Sequence, residues 1–238
     1  MRLLINLLIS SSLILLPPAW AQENKGAVND EAPYLQVLNE GATLIKAGKA
    51  KEAIPYFDKV IARYEDKYRD SKQTIFCARS PTEALAYLLE AANQAKGSAM
   101  VLSANWADAY YLKAYVLVSL GQFAQARSVL AHAIALSPAN FQYQAELGHI
   151  YQQEKNWDLA LSSFQLAETN ARTYSAPATH NAEIAQAMRG KAYVLVEQGK
   201  LDEAEQVYLQ CLELDKNDVR ARNELTYVQG LKSKQKVK

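Results

Sequence analysis

From about residue 34 to residue 231, apolar positions recur every three or four residues, the spacing that lays a stripe along one face of an α-helix. Leu225, Val228 and Leu231 near the end form one such stripe. Three segments break the pattern. Leu3 to Leu16 is a continuous apolar run of 14 residues behind Met1 and Arg2, followed by Pro17, Pro18 and Ala19-Trp20-Ala21. It is shorter than the roughly 20 apolar residues that span a bilayer, and no later segment offers such a span. Its length and A-x-A exit are those of a secretory signal peptide, so residues 1–21 are expected to be removed at Ala21/Gln22 and the protein to be periplasmic or secreted. With Gln22 rather than Cys at the new terminus, a bacterial lipid anchor has no acceptor. Residues 22–33 are polar and aperiodic, a flexible lead, and residues 232–238 carry Lys232, Lys234, Lys236 and Lys238 in a basic tail, expected as a solvated end. The region between them, 34–231, is expected to be one helical domain.

A repeat underlies the periodicity. When the segment from Leu112 is laid on the segment from Glu146, Ala114 falls on Gly148, Ala126 on Ala160 and Ala133 on Ala167, an offset of 34 residues. The same frame puts Gly41, Gly48, Ala53 and Phe57 in an earlier copy and Ala192, Gly199, Ala204 and Tyr208 in a later one. In each copy a small residue is followed by a second 12 positions on, and by a bulky one four places after that. Antiparallel helices approach closely only where side chains are small, and the large residue fills the space beside the crossing. At these residues the chain resembles the tetratricopeptide repeat, a helix-turn-helix unit of about 34 residues. Ser137-Pro138 closes one copy as that family often does, and Leu147-Gly148 with Tyr151 matches its L-G-x-x-Y core. The resemblance implies an all-α, TPR-like α-solenoid of about five helix-turn-helix repeats, centred on Ala53, Ala84, Ala126, Ala160 and Ala204, with a C-terminal capping helix after Asn217.

The copy at Ala84 is degenerate: its second helix is clear, the register of its first is not. From Ala84 to Ala126 is 42 residues and from Ala160 to Ala204 is 44, so extra residues fall near 96–104 and 173–181, where loops between repeats are expected. Local signals agree with the frame. Ser80-Pro81-Thr82-Glu83 combines an N-cap serine, a proline at the first helical position and a glutamate placed to reach back to the cap. Asn156 and Asn217 stand as N-caps of later helices, and Gly48, Gly121 and Gly199 stand in the turns that end first helices.

Composition narrows the function. Lys plus Arg is 26 against 25 Asp plus Glu, a net of +1, so no global field exists to hold nucleic acid. Two cysteines and three histidines leave little material for a metal site, and no cofactor is expected. The chain has no phosphate-cradling glycine loop, H-E-x-x-H, C-x-x-C or G-x-S-x-G. The catalytic pairing available, Cys77 with His149, lacks a third orienting group, so the protein is not expected to be an enzyme. Cys77 and Cys211 lie three copies apart, tens of ångström at a helix spacing of roughly 8–10 Å, too far for a disulfide. Cys211 takes the place of a packing alanine and reads as a core thiol, whereas Cys77 leaves an intermolecular disulfide open.

In the family that the chain resembles, first-helix side chains at the second, fifth, ninth and twelfth places face a concave groove that holds partner peptides. Those places here are Asp108, Tyr111, Tyr115, Gln142, His149, Gln152, Gln186, Arg189, Tyr193, Arg220, Asn223 and Tyr227. The set is aromatic and polar, suited to an extended peptide or a partner helix; packing between first helices is the competing role for Tyr111, Tyr115 and Tyr193. One subclass grips a partner's terminal carboxylate with lysines and asparagines, and that pattern is missing, since the fifth and ninth places carry Tyr111 and Tyr115, then Ala145 and His149. Arg189 and Arg220 are either an acidic-group clamp or solvated arginines. The expectation is a non-catalytic envelope module that binds a protein or peptide partner in its groove, as scaffold or assembly factor. An accessory subunit of an envelope enzyme, bound through the convex face, and a hydrolase built on the solenoid are the other classes. The oligomeric state stays open.

Overall fold

The computed structural model describes residues 28–93 and 98–236. The expected signal peptide, the first part of the lead, the start of the insertion near 96–104 and the last two residues of the tail lie outside the described residues. Four helical hairpins and a closing helix make up the solenoid: α1 (Val28–Lys46) with α2 (Ala50–Tyr68), α4 (Asn105–Ser119) with α5 (Phe123–Leu136), α6 (Phe141–Gln153) with α7 (Trp157–Tyr174), α8 (His180–Glu197) with α9 (Leu201–Leu214), and then α10 (Val219–Lys236). Helix α1 takes up the second half of the segment read as a lead. Gly48, Gly121 and Gly199 end first helices at φ of 76°, 73° and 75°, the left-handed region where a Cβ is costly, and Lys155 holds the equivalent place at φ 57°.

The small residues sit where helices cross. Ala53, Ala126, Ala160 and Ala204 are wholly buried. A Cβ on Gly41 would fall 2.6 Å from the Phe57 ring, and one on Gly148 would fall 2.8 Å from Phe164. Phe164 is also met from its other side by Gly190, where a Cβ would lie 2.3 Å from the ring. The ring thus joins one hairpin to the next. First helices pack on first helices, α4 on α6 and α6 on α8, with no comparable packing between α5, α7 and α9, so the first helices line the inner wall of the curve.

The largest departure from the sequence reading is the degenerate second copy. In place of its first helix stands strand β1 (Thr74–Ala78); helix α3 (Pro81–Asn93) follows as expected, and strand β2 (Ala99–Ser103) takes up much of the expected loop. The strands run parallel, Thr74 beside Ala99 through Ala78 beside Ser103, and α3 is the crossover between them. The physical cause is local: TIFCA and AMVLS are rich in β-branched and apolar residues that suit a half-buried pleat. Cys77 and Leu102 join the solenoid core, while Phe76, Ala78 and Val101 pack with Tyr87 and Ala84 of α3. Helix α2 packs directly on α4, so the solenoid runs on past the insert. Tyr87 pins the insert to the α5–α6 turn: its hydroxyl accepts from the Ala139 N–H at 3.1 Å and lies 3.2 Å from Ser137 Oγ.

Other expectations shift by a residue or a turn. Ser80 Oγ accepts from the Glu83 N–H at 3.2 Å as an N-cap, but the Glu83 carboxylate accepts from the Arg79 N–H at 2.8 Å, one residue earlier than a capping box requires. The reason is that the same carboxylate holds the Arg79 guanidinium at 2.9 Å. Asn156 caps α7 as expected, accepting from Leu159 N–H at 3.3 Å. Asp218 rather than Asn217 caps α10, accepting from the Ala221 N–H at 3.0 Å. The extra residues near 173–181 mostly lengthen α7 and α8, each 18 residues long, leaving a turn at 175–179. Leu225 and Val228 of α10 are buried on α9, and Lys232 bonds Asp202 at 2.5 Å as well as Glu205, so the helix continues into the tail. Cys77 and Cys211 are both free and buried. The enclosure of Cys77 within the core removes it from reach of another chain's thiol, and burial pushes the Cys211 thiol up to about 11.

The glycine contact on Phe164 is testable. Gly190→Ala should lower stability by about 1–3 kcal/mol in urea unfolding, and by less in a Phe164→Leu background, where the ring is gone. Equal losses in the two backgrounds would show that the ring is not what fixes this crossing.

Candidate functional site: the inner-helix groove

The twelve groove positions divide by what their side chains already touch. Tyr111 is only 3% exposed: its ring stacks on Tyr143 at 5.3 Å between centroids, and its hydroxyl accepts from Gln142 Nε2 at 2.8 Å. It packs α4 against α6, as its competing role predicts. Asp108 accepts a 2.7 Å hydrogen bond from the Tyr143 hydroxyl. Burial pushes the Asp108 carboxyl up to about 6, while the Tyr143 bond and the Arg79 charge pull it down and Glu83 raises it.

His149 meets Phe164 edge-on at 5.0 Å and places Nδ1 3.0 Å from Gln152 Oε1; Gln152 in turn donates to the Gly190 carbonyl at 3.2 Å. Burial lowers the His149 pKa, against the pull of Gln152, so the ring is neutral at pH 7. His149 and Gln152 therefore tie α6 to α8, and the ring bonds Gln152 rather than Cys77, which lies in β1. Arg189 pairs with Asp218, the cap of α10. That pairing, with Asp218 nearly enclosed, takes Arg189 out of the acidic-group clamp that its side chain suggests.

The rest keep open surface. Tyr115, Gln186 and Tyr193 are half-buried, and Arg220, Asn223 and Tyr227 are exposed, Tyr227 at 50%. Burial, Glu197, Glu224 and Tyr227 together raise the Tyr193 pKa, which puts the α8 and α10 tyrosines in one neighbourhood. Among the described residues no cluster of three or more His, Cys, Asp or Glu could hold a metal, and no helix is long and apolar enough to cross a membrane.

Residues 107–140 and 185–218 match the family model of the tetratricopeptide repeat. The chain carries tetratricopeptide repeats. The two matched segments are the α4–α5 and α8–α9 hairpins, each running into the turn after it. No curated protein matches the sequence. Solved structures that it resembles include pilF of Pseudomonas aeruginosa, at 15% identity and TM-score 0.59, over 86% of this chain and 71% of that one. A kinesin light chain with TPR-like repeats from Podosopora anserina matches at 13% identity and TM-score 0.57, over 84% and 87%. MamA from Desulfovibrio magneticus RS-1 matches at 16% identity and TM-score 0.54, over 86% and 88%. At these identities the likeness is one of fold, the TPR solenoid.

Within the TPR frame one inner-wall residue lies outside the twelve. Glu146 occupies the sixth place of its repeat, one turn after Gln142 and three residues before His149, on the same face of α6. It is 4% exposed, and its Oε1 is buried with no hydrogen-bond partner. Burial pushes its carboxyl up to about 7, and its charge reaches Tyr111 on the preceding TPR helix. The signal available in the sequence was the helical wheel itself, which sets 142, 146 and 149 in a row.

The unfolded chain titrates this carboxyl near the ordinary 4.5, the folded TPR near 7. Between those values the folded state holds the proton more tightly, so stability falls as pH rises through the window and levels off above it. Glu146→Gln removes that loss. Urea titrations at pH 5 and pH 8 should show the variant gaining about 1–3 kcal/mol on the wild type at the higher pH. Parallel pH profiles would mean that the carboxyl is not held in an apolar enclosure.

Proposed function

We propose that this chain is a non-catalytic interaction module that takes an extended peptide or helix of a partner protein along the inner wall of its solenoid. We further infer an envelope role as scaffold or assembly factor, which the apolar run and A-x-A exit of residues 1–21 support. The observation that carries the groove reading is the row of tyrosines at the ninth place: Tyr115 on α4, Tyr193 on α8 and Tyr227 on α10 all keep ring surface toward solvent, while Tyr111, His149, Gln152 and Arg189 beside them are spent on joining helices. Tyrosine supplies large, stiff contact area with a hydroxyl that stays wet, and a few such anchors usually dominate an interface. Catalysis finds no support in the same residues: the Cys77 thiol is raised by burial and His149 is bonded within the fold.

A second contact surface has its own observation. Leu85, Leu88 and Leu89 follow helical spacing on the outer side of α3, with Leu85 59% and Leu89 56% exposed. That stripe favours a role as an accessory subunit held away from the inner helices, beside the groove function or in place of it.

The readings separate in one experiment. Tyr115→Ala with Tyr193→Ala should cost a captured partner at least about 2 kcal/mol of affinity, the hot-spot range, with helical circular dichroism and melting temperature near wild type. An early melt with normal binding by the remaining folded fraction would make these tyrosines core residues. Loss of binding in Leu85→Ser with Leu89→Ser instead would move the interface to α3.

A further inference from the structure

Glu146 is the one buried carboxyl on the inner wall that the packing described above does not use. An ionised carboxylate taken from water without a partner costs several kcal/mol, and the group normally answers by keeping its proton. A glutamine or leucine at this place would avoid that cost. The cations on the surrounding helices are engaged elsewhere: Arg127 of α5 pairs with Glu154, Lys191 of α8 with Glu168 of α7, Arg189 of α8 with Asp218, and Arg79 of the insert with Glu83 and Glu183. From α4, the group that feels the Glu146 charge is Tyr111, a neutral phenol whose hydroxyl is already taken by Gln142. A second enclosed carboxyl, Asp108, stands on α4 less than one turn before Tyr111 and is held by the Tyr143 hydroxyl. This stretch of the wall therefore presents carboxyl groups and tyrosine rings, with an acceptor oxygen on Glu146 that lacks a donor.

We propose that Glu146 is the floor of a subsite for a cationic side chain, lysine or arginine, of the partner peptide. The proposal rests on the groove reading above and names what the middle of the groove selects. The entering ammonium or guanidinium supplies the missing donors to Glu146 as a charge-assisted pair. Its alkyl stem lies beside the ring of Tyr115, the α4 tyrosine that keeps open surface, and an aromatic face favours a cation. Pairing stabilises the ionised carboxylate, so binding near neutral pH expels a proton from Glu146 to solvent.

The test uses the full chain and three fluorescein-labelled, end-capped decapeptides of one Ser/Leu/Tyr host, with lysine, glutamine or glutamate at the centre. Lysine should bind about tenfold tighter than glutamine at pH 8, the effect of one charge-assisted hydrogen bond, and glutamate weakest. Titration calorimetry at pH 7 in buffers of different ionisation heat should show proton release for the lysine peptide alone. Glu146→Gln should erase the lysine preference and the proton release while the glutamine peptide binds as before. A lysine preference that survives in Glu146→Gln overturns the subsite. Equal binding of all three peptides, lost in Tyr115→Ala with Tyr193→Ala, overturns the subsite and leaves the groove standing. Binding of no peptide, or binding unaffected by the tyrosine changes, overturns the groove reading and the subsite with it.

Discussion

Phe164 lies between two helices that have no side chain at the point of contact, Gly148 on α6 and Gly190 on α8, and this sandwich sets how near successive hairpins stand. A methyl group on either glycine would enter the ring, so the spacing is a steric limit and not a preference. Gly41 against Phe57 sets the same limit within the first hairpin. Because the approach is close on the side of the first helices, these pack on each other more than the second helices do, and the stack bends toward α4, α6 and α8. The groove is a consequence of that bend.

Polar bonds then fix the relative positions that apolar packing alone leaves loose. Gln152 to the Gly190 carbonyl, Asn170 to the Pro138 carbonyl at 3.1 Å and Arg189 to Asp218 each cross from one hairpin to the next. Burying such groups is safe only when they are paired, and pairing requires one register. The β1–α3–β2 insert adds a brace along the edge where first helices begin: Arg79 bonds Glu183 of α8 at 3.4 Å and lies over the Phe141 ring at 5.3 Å, and Tyr87 holds the α5–α6 turn. Among the buried polar atoms that lack a partner in the described residues, Glu146 Oε1 belongs to the carboxyl, the group for which the fold accepts the largest cost.

What was legible in the sequence follows from what repeats. Small residues 12 apart with a bulky one four places later recur because the helix crossing recurs, so Ala53, Ala126, Ala160 and Ala204, the turn glycines and the closing helix could be placed from spacing alone. The second copy could not, because TIFCA carries no period of three or four to reveal, and a strand paired with a distant AMVLS leaves only its own short pattern. The caps at Glu83 and Asn217 moved by one residue because side chains close by in the sequence compete for the same bonds: the Arg79 guanidinium holds the Glu83 carboxylate, and the Asp218 carboxylate takes the cap of α10. Within the groove, the frame named the right helices but could not tell a tyrosine that packs, Tyr111, from one that keeps open surface, Tyr193. Only burial separates them, and burial also revealed Glu146, which four chosen places per repeat passed over.

The proposed function puts the partner on the inner wall of the solenoid. Site-specific photocrosslinking in the producing cells tests it most directly, with benzoylphenylalanine placed in turn at Tyr193 and Tyr227 on the inner helices and at Leu166 and Leu209, exposed residues of the outer helices α7 and α9. One shared crosslinked partner is expected from Tyr193 and Tyr227 and none from Leu166 or Leu209. A partner captured from Leu166 and Leu209 but not from the inner positions would contradict it.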